Sequence, residues 1–180
     1  VNKGVWIEPV FITKIEDKNG VIIEEFTPKT QEAMSEETAA VMVRLLQGVV
    51  DGVYSPDAKT TKGTGVRLRH KYKFTNDIGG KTGTTQNQSD GWFIGITPNL
   101  VTGVWSGCED RSIHFRDIYY GQGANMALPI FAEYLIRAYK DKGVSDINPV
   151  KFNIPKYIDV KMDCGEQVQA TEDIFLEEEF

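Results

Sequence analysis

The stretch from residue 78 to residue 97 constrains the fold of this chain more than any other, because it fits a strand, a short turn and a second strand. Residues 80–85 read Gly-Lys-Thr-Gly-Thr-Thr, residues 86–90 are polar, and residues 91–96 are mainly apolar. A Thr-Pro-Asn turn then leads to another strand-like segment at 100–107. Connections this short join neighbouring antiparallel strands, so we predict an antiparallel meander of three strands.

The first strand of the predicted meander carries the candidate binding residues. Successive side chains of a strand point to opposite faces, so Lys81, Gly83 and Thr85 share one face. Thr82 and Thr84 share the other face. The bare main chain at Gly83 leaves room for an extended ligand, the hydroxyls can donate to a carboxylate, and Lys81 adds a compact positive charge. We therefore predict that these five residues form a docking edge for an anionic, peptide-like ligand.

A phosphate-binding P-loop is the alternative for Gly-Lys-Thr at residues 80–82. A P-loop needs a glycine five residues before Gly80 and a helix directly after the Lys-Thr pair. Position 75 is Thr75, and a strand pattern follows the pair. The phosphate-binding interpretation therefore fails on both requirements.

The longer run around this strand is far more specific than the tripeptide. Lys-Thr-Gly is found in penicillin-binding proteins and related β-lactamases. Here it is followed by Asp-Gly-Trp-Phe-Ile-Gly at 90–95 and by Thr-Pro-Asn-Leu-Val-Thr-Gly-Val-Trp at 97–105. Residues 1–142 thus resemble the C-terminal half of the transpeptidase domain of a class A, bifunctional penicillin-binding protein. Gly91 and Cys108 stand where the resemblance leads us to expect alanine and an aromatic residue.

The resemblance implies a β-lactamase-like α/β (α+β) fold, incomplete in this chain, in which helices pack on an antiparallel sheet. It also implies acyl transfer, in which a serine attacks a D-Ala-D-Ala stem peptide of peptidoglycan and an amine from a neighbouring strand releases the acyl-enzyme. β-Lactams imitate the D-Ala-D-Ala end and are trapped as acyl-enzymes. The implied setting is the extracytoplasmic face of the bacterial cytoplasmic membrane, with a glycosyltransferase domain upstream and any membrane anchor outside this chain.

The resemblance also implies a role for each residue of the motif. Lys81 supplies positive charge to the serine network and to the substrate carboxylate. The hydroxyls of Thr82 and Thr84 hold that carboxylate, and the backbone N–H of Thr84 is one of two oxyanion donors. Gly83 keeps the strand open, and Thr85 completes the substrate-binding set.

The nucleophile that this chemistry needs is absent from the chain. The family machinery uses a Ser-x-x-Lys nucleophile and a Ser-x-Asn motif beside Lys-Thr-Gly. The serines are Ser35, Ser55, Ser89, Ser106, Ser112 and Ser145. None has lysine three residues on or asparagine two residues on. We expect the serine on a missing N-terminal part of the protein or on another chain; the alternative is a non-catalytic binding or docking module of the same fold.

Charge and composition divide the chain into residues 1–147, the domain part, and residues 148–180, an acidic tail. Six of the 26 acids lie in residues 166–180, which hold no Lys or Arg, so the remainder is neutral with 20 acids and 20 bases. The acidic end is interpreted as a solvated tail. No apolar run is long enough to span a bilayer, and no signal peptide is recognisable.

Neither nucleic acid nor a metal is an expected partner. Residues 59–73 hold six Lys and Arg residues and no acid, but the pI of about 5.0 favours a solvated basic loop, or a bias of the cleft toward acidic substrates. His70 and His114 lack ligand spacing, and two cysteines are too few for a zinc site. Cys108 and Cys164 are interpreted as free, partly buried thiols, and no cofactor is predicted.

The remaining elements follow from local patterns. Strands at 5–15 and 21–26 flank Asn-Gly, a strong hairpin signal, and the resemblance implies that this hairpin opens the sheet. Ser35 predicts the start of a helix over 36–50 that is apolar on nearly every side and hence buried. Residues 108–124 are interpreted as a polar loop. A second helix is predicted over 129–142, because proline suits only a first turn.

Overall fold

The computed structural model describes residues 1–55, 59–144, 147–155 and 160. Within these residues the elements are, in chain order, β1 (Val5–Ile7), β2 (Lys14–Glu16), β3 (Ile22–Glu25), β4 (Thr30–Glu32), α1 (Glu36–Asp51), β5 (Val53–Ser55), β6 (Thr60–Lys62), α2 (Arg67–His70), β7 (Gly79–Thr84), β8 (Asp90–Thr97), β9 (Leu100–Gly107), α3 (Ile118–Gly121) and α4 (Gly123–Lys140). The predicted α/β (α+β) class, with helices packed on an antiparallel sheet, is confirmed.

The sheet that carries the candidate site is the predicted meander. β7, β8 and β9 are hydrogen-bonded in that order, and both pairs are antiparallel. Lys81 lies opposite Ile94, which lies opposite Gly103. The predicted pairing of the Lys81 strand with strand 91–96 is therefore confirmed. Lys81 lies within a strand rather than at the start of a helix, as the rejection of the P-loop requires.

One face of this sheet packs against α4 and closes the core. The rings of Phe93 in β8 and Phe131 in α4 lie 5.0 Å apart between centroids. Gly95 lies beneath Phe131, and a Cβ at that glycine would overlap the phenyl ring. The core residues are Val50, Leu68, Phe74, Ile78, Phe93, Ala127, Leu128, Phe131, Ala132 and Leu135. Each large apolar side chain buried there stabilises the fold by about 1.5–3 kcal/mol.

The start of α4 differs from the sequence prediction. We expected a helix over 129–142, but α4 runs over Gly123–Lys140 with Pro129 in its interior. An interior proline removes one helical hydrogen bond and costs about 3 kcal/mol. Ala127 and Leu128, in the turn before Pro129, are fully buried. Their burial against the sheet offsets the cost of the proline, which local propensity could not show.

The helix predicted over 36–50 is confirmed as α1, and Ser35 is its N-cap. The Ser35 hydroxyl accepts a hydrogen bond from the Thr38 N–H at 3.1 Å. The expectation that α1 is buried on all sides is wrong, because Met42 and Leu45 are 45% and 56% exposed. α1 packs through one face only, and that face meets β7, where the Cβ of Leu46 lies close to Gly79.

The N-terminal hairpin forms, but with shorter strands than predicted. β2 and β3 pair antiparallel around the Asn19-Gly20 turn, and Gly20 has a positive φ of 83°. Segment 5–15 is split, because β1 turns away from β2 to pair with β4. The expectation that this hairpin opens the main sheet is also wrong. β2–β3 and β1–β4 are separate two-stranded ladders, and their residues are exposed.

The basic segment 59–73 is only partly the solvated loop that we expected. Arg67 in α2 donates from Nη1 to the carbonyl of Ala124 at 2.9 Å. Arg69 pairs with Asp51 of α1 at 2.7 Å and donates to two carbonyls in the loop before β7. Both guanidiniums therefore tie α2 to its neighbours, so the solvated interpretation is wrong for these two residues. The separation of the two arginines by two positions in the sequence did not indicate these contacts.

The end of the chain is described only in part. The loop predicted over 108–124 contains α3, and its last two residues belong to α4. Cys108 is half-buried with a free thiol, whereas Cys164 lies outside the described residues, as does the acidic segment 166–180.

No described helix combines the length and the apolar character needed to cross a membrane.

Candidate functional site

Among the residues that the structure describes, the predicted binding strand, β7, is an edge strand of its sheet. It pairs with β8 on one side. The N–H of Thr85 donates to the carbonyl of Asp90 at 3.1 Å, so the main-chain N–H of Thr85 points toward β8. Main-chain groups of successive strand residues alternate in direction. The N–H groups of Thr82 and Thr84 therefore point away from β8, toward the outer edge of the sheet.

Lys81 lies at this outer edge with its ammonium exposed. Its Nζ donates to the carbonyl of the next residue, Thr82, at 2.7 Å. That contact confirms that the Thr82 carbonyl points outward. Among the described residues Lys81 has no carboxylate within ion-pair distance. An anionic ligand at the edge would therefore meet a lysine charge that no neighbouring acid neutralises.

Thr82 and Thr84 make tertiary contacts with two different elements. Thr82 Oγ1 donates to Thr64 Oγ1 at 3.0 Å, which joins β7 to the loop before α2. Thr84 Oγ1 accepts a hydrogen bond from the Gly123 N–H at 3.0 Å. Because Gln122, the N-cap of α4, supplies no side-chain bond, Thr84 caps α4 from the neighbouring strand. The Thr84 hydroxyl keeps its own proton, which it can donate to a ligand.

Gly123 permits the close approach of strand and helix at Thr84. Gly123 is buried, and a Cβ there would overlap the carbonyl oxygens of Gly83 and Trp92. A Cβ on Gly83 would come within 3.1 Å of the Trp92 side chain, on the opposite face of β7. The N-terminus of α4 therefore lies against the paired main chain of β7 and β8. The positive end of its helix dipole favours negative charge at this place.

The hydroxyl of Thr85 is held inside the turn between β7 and β8. Thr85 Oγ1 lies 3.0 Å from Ser89 Oγ and 3.2 Å from Asp90 Oδ2. The same carboxylate accepts from Trp105 Nε1 at 3.2 Å through its other oxygen, and Arg111 Nε lies 3.9 Å away. This network fixes the end of β7. The Thr85 side chain thus differs from those of Thr82 and Thr84, because its hydroxyl serves the turn.

Two of the described serines serve other elements of the structure. Ser35 caps α1, and Ser89 bonds Thr85 and Asp90 within the turn. Within the described part of the chain no cluster of His, Cys, Asp and Glu has the makeup of a metal site. The edge of β7 therefore offers hydrogen-bond donors and one ammonium.

Comparison with models of protein families shows to which family the chain belongs. The model of the penicillin binding protein transpeptidase domain matches residues 1–105, which is more than half of the chain. The chain belongs to the penicillin-binding protein transpeptidase family. The matched region contains β7, so the resemblance based on the Lys81 motif is confirmed.

Individual relatives agree with the family match. Penicillin-binding protein 1A of Aquifex aeolicus (strain VF5) is 34% identical over 134 residues, covering 74% of this chain and 16% of that protein. Penicillin-binding protein 1A of Rickettsia conorii is 31% identical over 155 residues, covering 78% of this chain and 19% of that protein. The crystal structure of penicillin-binding protein 1A from Haemophilus influenzae matches with a TM-score of 0.63 and 26% identity, covering 85% of this chain and 26% of that one. The chain thus spans less than a fifth of the length of the first two relatives.

Sequence reasoning missed three residues that shape the site. Thr64, Gly123 and Asp90 contact the predicted binding residues through hydrogen bonds. Asp90 begins the Asp-Gly-Trp-Phe-Ile-Gly motif and follows Thr85 by five residues in the sequence, so its role in the turn could have been suspected. Thr64 and Gly123 are 18 and 39 residues from their partners, and no local pattern signals such contacts.

Proposed function

We propose that this chain supplies the Lys-Thr-Gly edge of a D,D-transpeptidase site that cross-links peptidoglycan stem peptides and is acylated by β-lactams. One observation carries the proposal. The outer edge of β7 presents the Lys81 ammonium and the outward N–H of Thr84 beside the hydroxyls of Thr82 and Thr84. An extended peptide that ends in a carboxylate can pair with such an edge and bind its charge there.

The reaction proceeds by acyl transfer. A serine oxygen bonds to the carbonyl carbon of the penultimate D-Ala, the peptide bond to the terminal D-Ala breaks, and the proton of the serine ends on the departing amine. The amine of a second stem peptide then attacks the ester, which returns the serine and forms the cross-link. A β-lactam follows the first step only, because its opened ring remains attached. The serine comes from a segment outside these 180 residues, since none of the six serines has the family motif.

Each residue of β7 has a defined task in this proposal. The Thr84 N–H and the N–H of the attacking serine bind the oxyanion; removal of one such donor typically costs about 2.7–4 kcal/mol of barrier. The hydroxyls of Thr82 and Thr84 and the Lys81 ammonium bind the substrate carboxylate. Gly83 leaves the main chain open to the ligand. Thr85 supports the substrate-binding strand at its end, where its hydroxyl is tied to the turn.

The substrate class sets the cellular location. Peptidoglycan stem peptides are cross-linked outside the cytoplasmic membrane, so we place this domain on the extracytoplasmic face of that membrane. A membrane anchor and a glycosyltransferase domain would lie in sequence outside this chain.

The test is the second-order rate constant of acylation by benzylpenicillin in the natural full-length protein that contains these residues. Lys81→Ala should lower this rate constant by at least about ten-fold, because a hydrogen bond to a charged group is worth about 1.5–3 kcal/mol. Lys140→Ala is the matched control, since Lys140 ends α4 and is separated from Thr84 by the length of that helix, about 27 Å. Equal rates for Lys81→Ala and wild type would refute the proposal. Tight but non-covalent binding would instead support the docking module.

A further inference from the structure

A second threonine lies against the proposed carboxylate-binding pair. Thr64 is exposed and lies in the Gly-Thr-Gly loop between β6 and α2. The loop is fixed to the end of α1, because the Gly65 N–H donates to the Val49 carbonyl at 2.9 Å. Gly63 lies so close to the same carbonyl that a Cβ would come within 2.7 Å of its oxygen. The main chain around Thr64 is therefore held in place by two contacts with one carbonyl.

The fixed loop places the Thr64 hydroxyl against β7. Thr82 Oγ1 donates to Thr64 Oγ1 at 3.0 Å. A threonine hydroxyl has one proton and two lone pairs, and it rotates to suit its partners. While Thr82 donates to Thr64, its proton is not available to a carboxylate. Binding of a carboxylate by Thr82 therefore requires this hydrogen bond to break or to reverse.

We propose that Thr64 is a positioning residue for carboxylate recognition, which rests on the function proposed above. When the ligand arrives, the Thr82 proton turns to the carboxylate and Thr64 donates its own proton to Thr82. The bond between the two hydroxyls is kept, with its direction reversed. Chains of hydrogen bonds polarise one another, so Thr82 becomes a better donor while Thr64 holds its oxygen in place. Thr64 itself does not touch the reacting atoms.

The test uses acylation rates of the natural full-length protein with two ligands. Thr64→Val should slow acylation by benzylpenicillin about two- to ten-fold, the worth of one neutral hydrogen bond. The same variant should react with benzylpenicillin methyl ester at the wild-type rate, because the ester has no carboxylate to bind. Thr64→Ser should restore the wild-type rate with both ligands. Thr75→Val is the matched control, since Thr75 is an exposed threonine in the loop before β7.

A double-mutant cycle shows whether Thr64 acts through Thr82. If it does, Thr64→Val combined with Thr82→Val should be no slower than Thr82→Val alone. Additive effects in the cycle would overturn the inference, and so would an equal slowing of the ester by Thr64→Val, which indicates a general structural effect. A wild-type rate for Thr64→Val beside a slow Thr82→Val would overturn the inference and leave the proposed function standing. A full-length protein that benzylpenicillin does not acylate would overturn both.

Discussion

The hydroxyl of Thr84 has two separate tasks in this account, and replacement by valine should impair both. Valine is close to threonine in shape, so β7 and its outward N–H should survive while the hydroxyl disappears. In the structure the lost oxygen is the acceptor of the buried Gly123 N–H at 3.0 Å. A buried donor left without a partner costs about 1–3 kcal/mol, and the loss of a helix cap costs about 0.5–2 kcal/mol. We therefore expect Thr84→Val to lower the free energy of unfolding by about 1–2 kcal/mol.

The second effect of Thr84→Val is on the reaction. The hydroxyl no longer donates to the ligand carboxylate, an interaction worth about 1.5–3 kcal/mol, which corresponds to about ten- to a hundred-fold in acylation efficiency. Urea unfolding of the isolated chain measures the first effect, and the acylation rate constant of the natural full-length protein with benzylpenicillin measures the second. Thr84→Ser keeps the hydroxyl and is the control for both.

The two measurements can refute the two assignments independently. A folded Thr84→Val protein that reacts at the wild-type rate would show that this hydroxyl does not hold the carboxylate. An unchanged free energy of unfolding would show that it does not cap α4. If Thr84→Val slowed acylation by the methyl ester as much as acylation by benzylpenicillin, the whole kinetic effect would come from a displaced strand.

Two further predictions concern the packing of α4 and the pH dependence of stability. Gly123→Ala should lower the free energy of unfolding by about 1–3 kcal/mol, because the added Cβ overlaps main-chain oxygens. Gly48→Ala, which has open space around its Cβ within α1, should instead raise the free energy of unfolding by about 0.5–1 kcal/mol. Urea unfolding of the two variants and the wild type measures both effects. Burial raises the pKa of Tyr139 above its usual 10.0, so the neutral phenol contributes stability below about pH 10 that is lost as the pH rises through the folded-state pKa. The stability difference between wild type and Tyr139→Phe should therefore shrink from pH 9 to pH 11, and a constant difference in urea unfolding would contradict this.

The sequence predicted the parts of the fold that depend on local patterns. The turn residues at 86–90 and the Thr-Pro-Asn turn set the register of β7, β8 and β9. The Ser35 cap and the acids after it set the start of α1. Such signals lie within a few residues of the structure that they determine, so a single sequence contains them.

The errors arose where tertiary packing overrules local preference. Pro129 is tolerated inside α4 because the turn before it is buried on the sheet. Arg67 and Arg69 bond to groups outside their own segment, which charge counting cannot reveal. In the candidate site, the motif predicted Lys81 and the threonines as binding residues, while the contacts that orient Thr82 and Thr84 come from Thr64 and Gly123, which are distant in sequence.

The central claim is that this chain provides the binding edge of a transpeptidase site and that the acylated serine lies elsewhere. The most direct test is to incubate fluorescent penicillin with the isolated chain and with the natural full-length protein, followed by denaturing electrophoresis and mapping of the labelled peptide. We expect no covalent label on the isolated chain. In the full-length protein the label should lie on a Ser-x-x-Lys serine outside these 180 residues. A heat-stable label on any of the six serines of this chain would contradict the account.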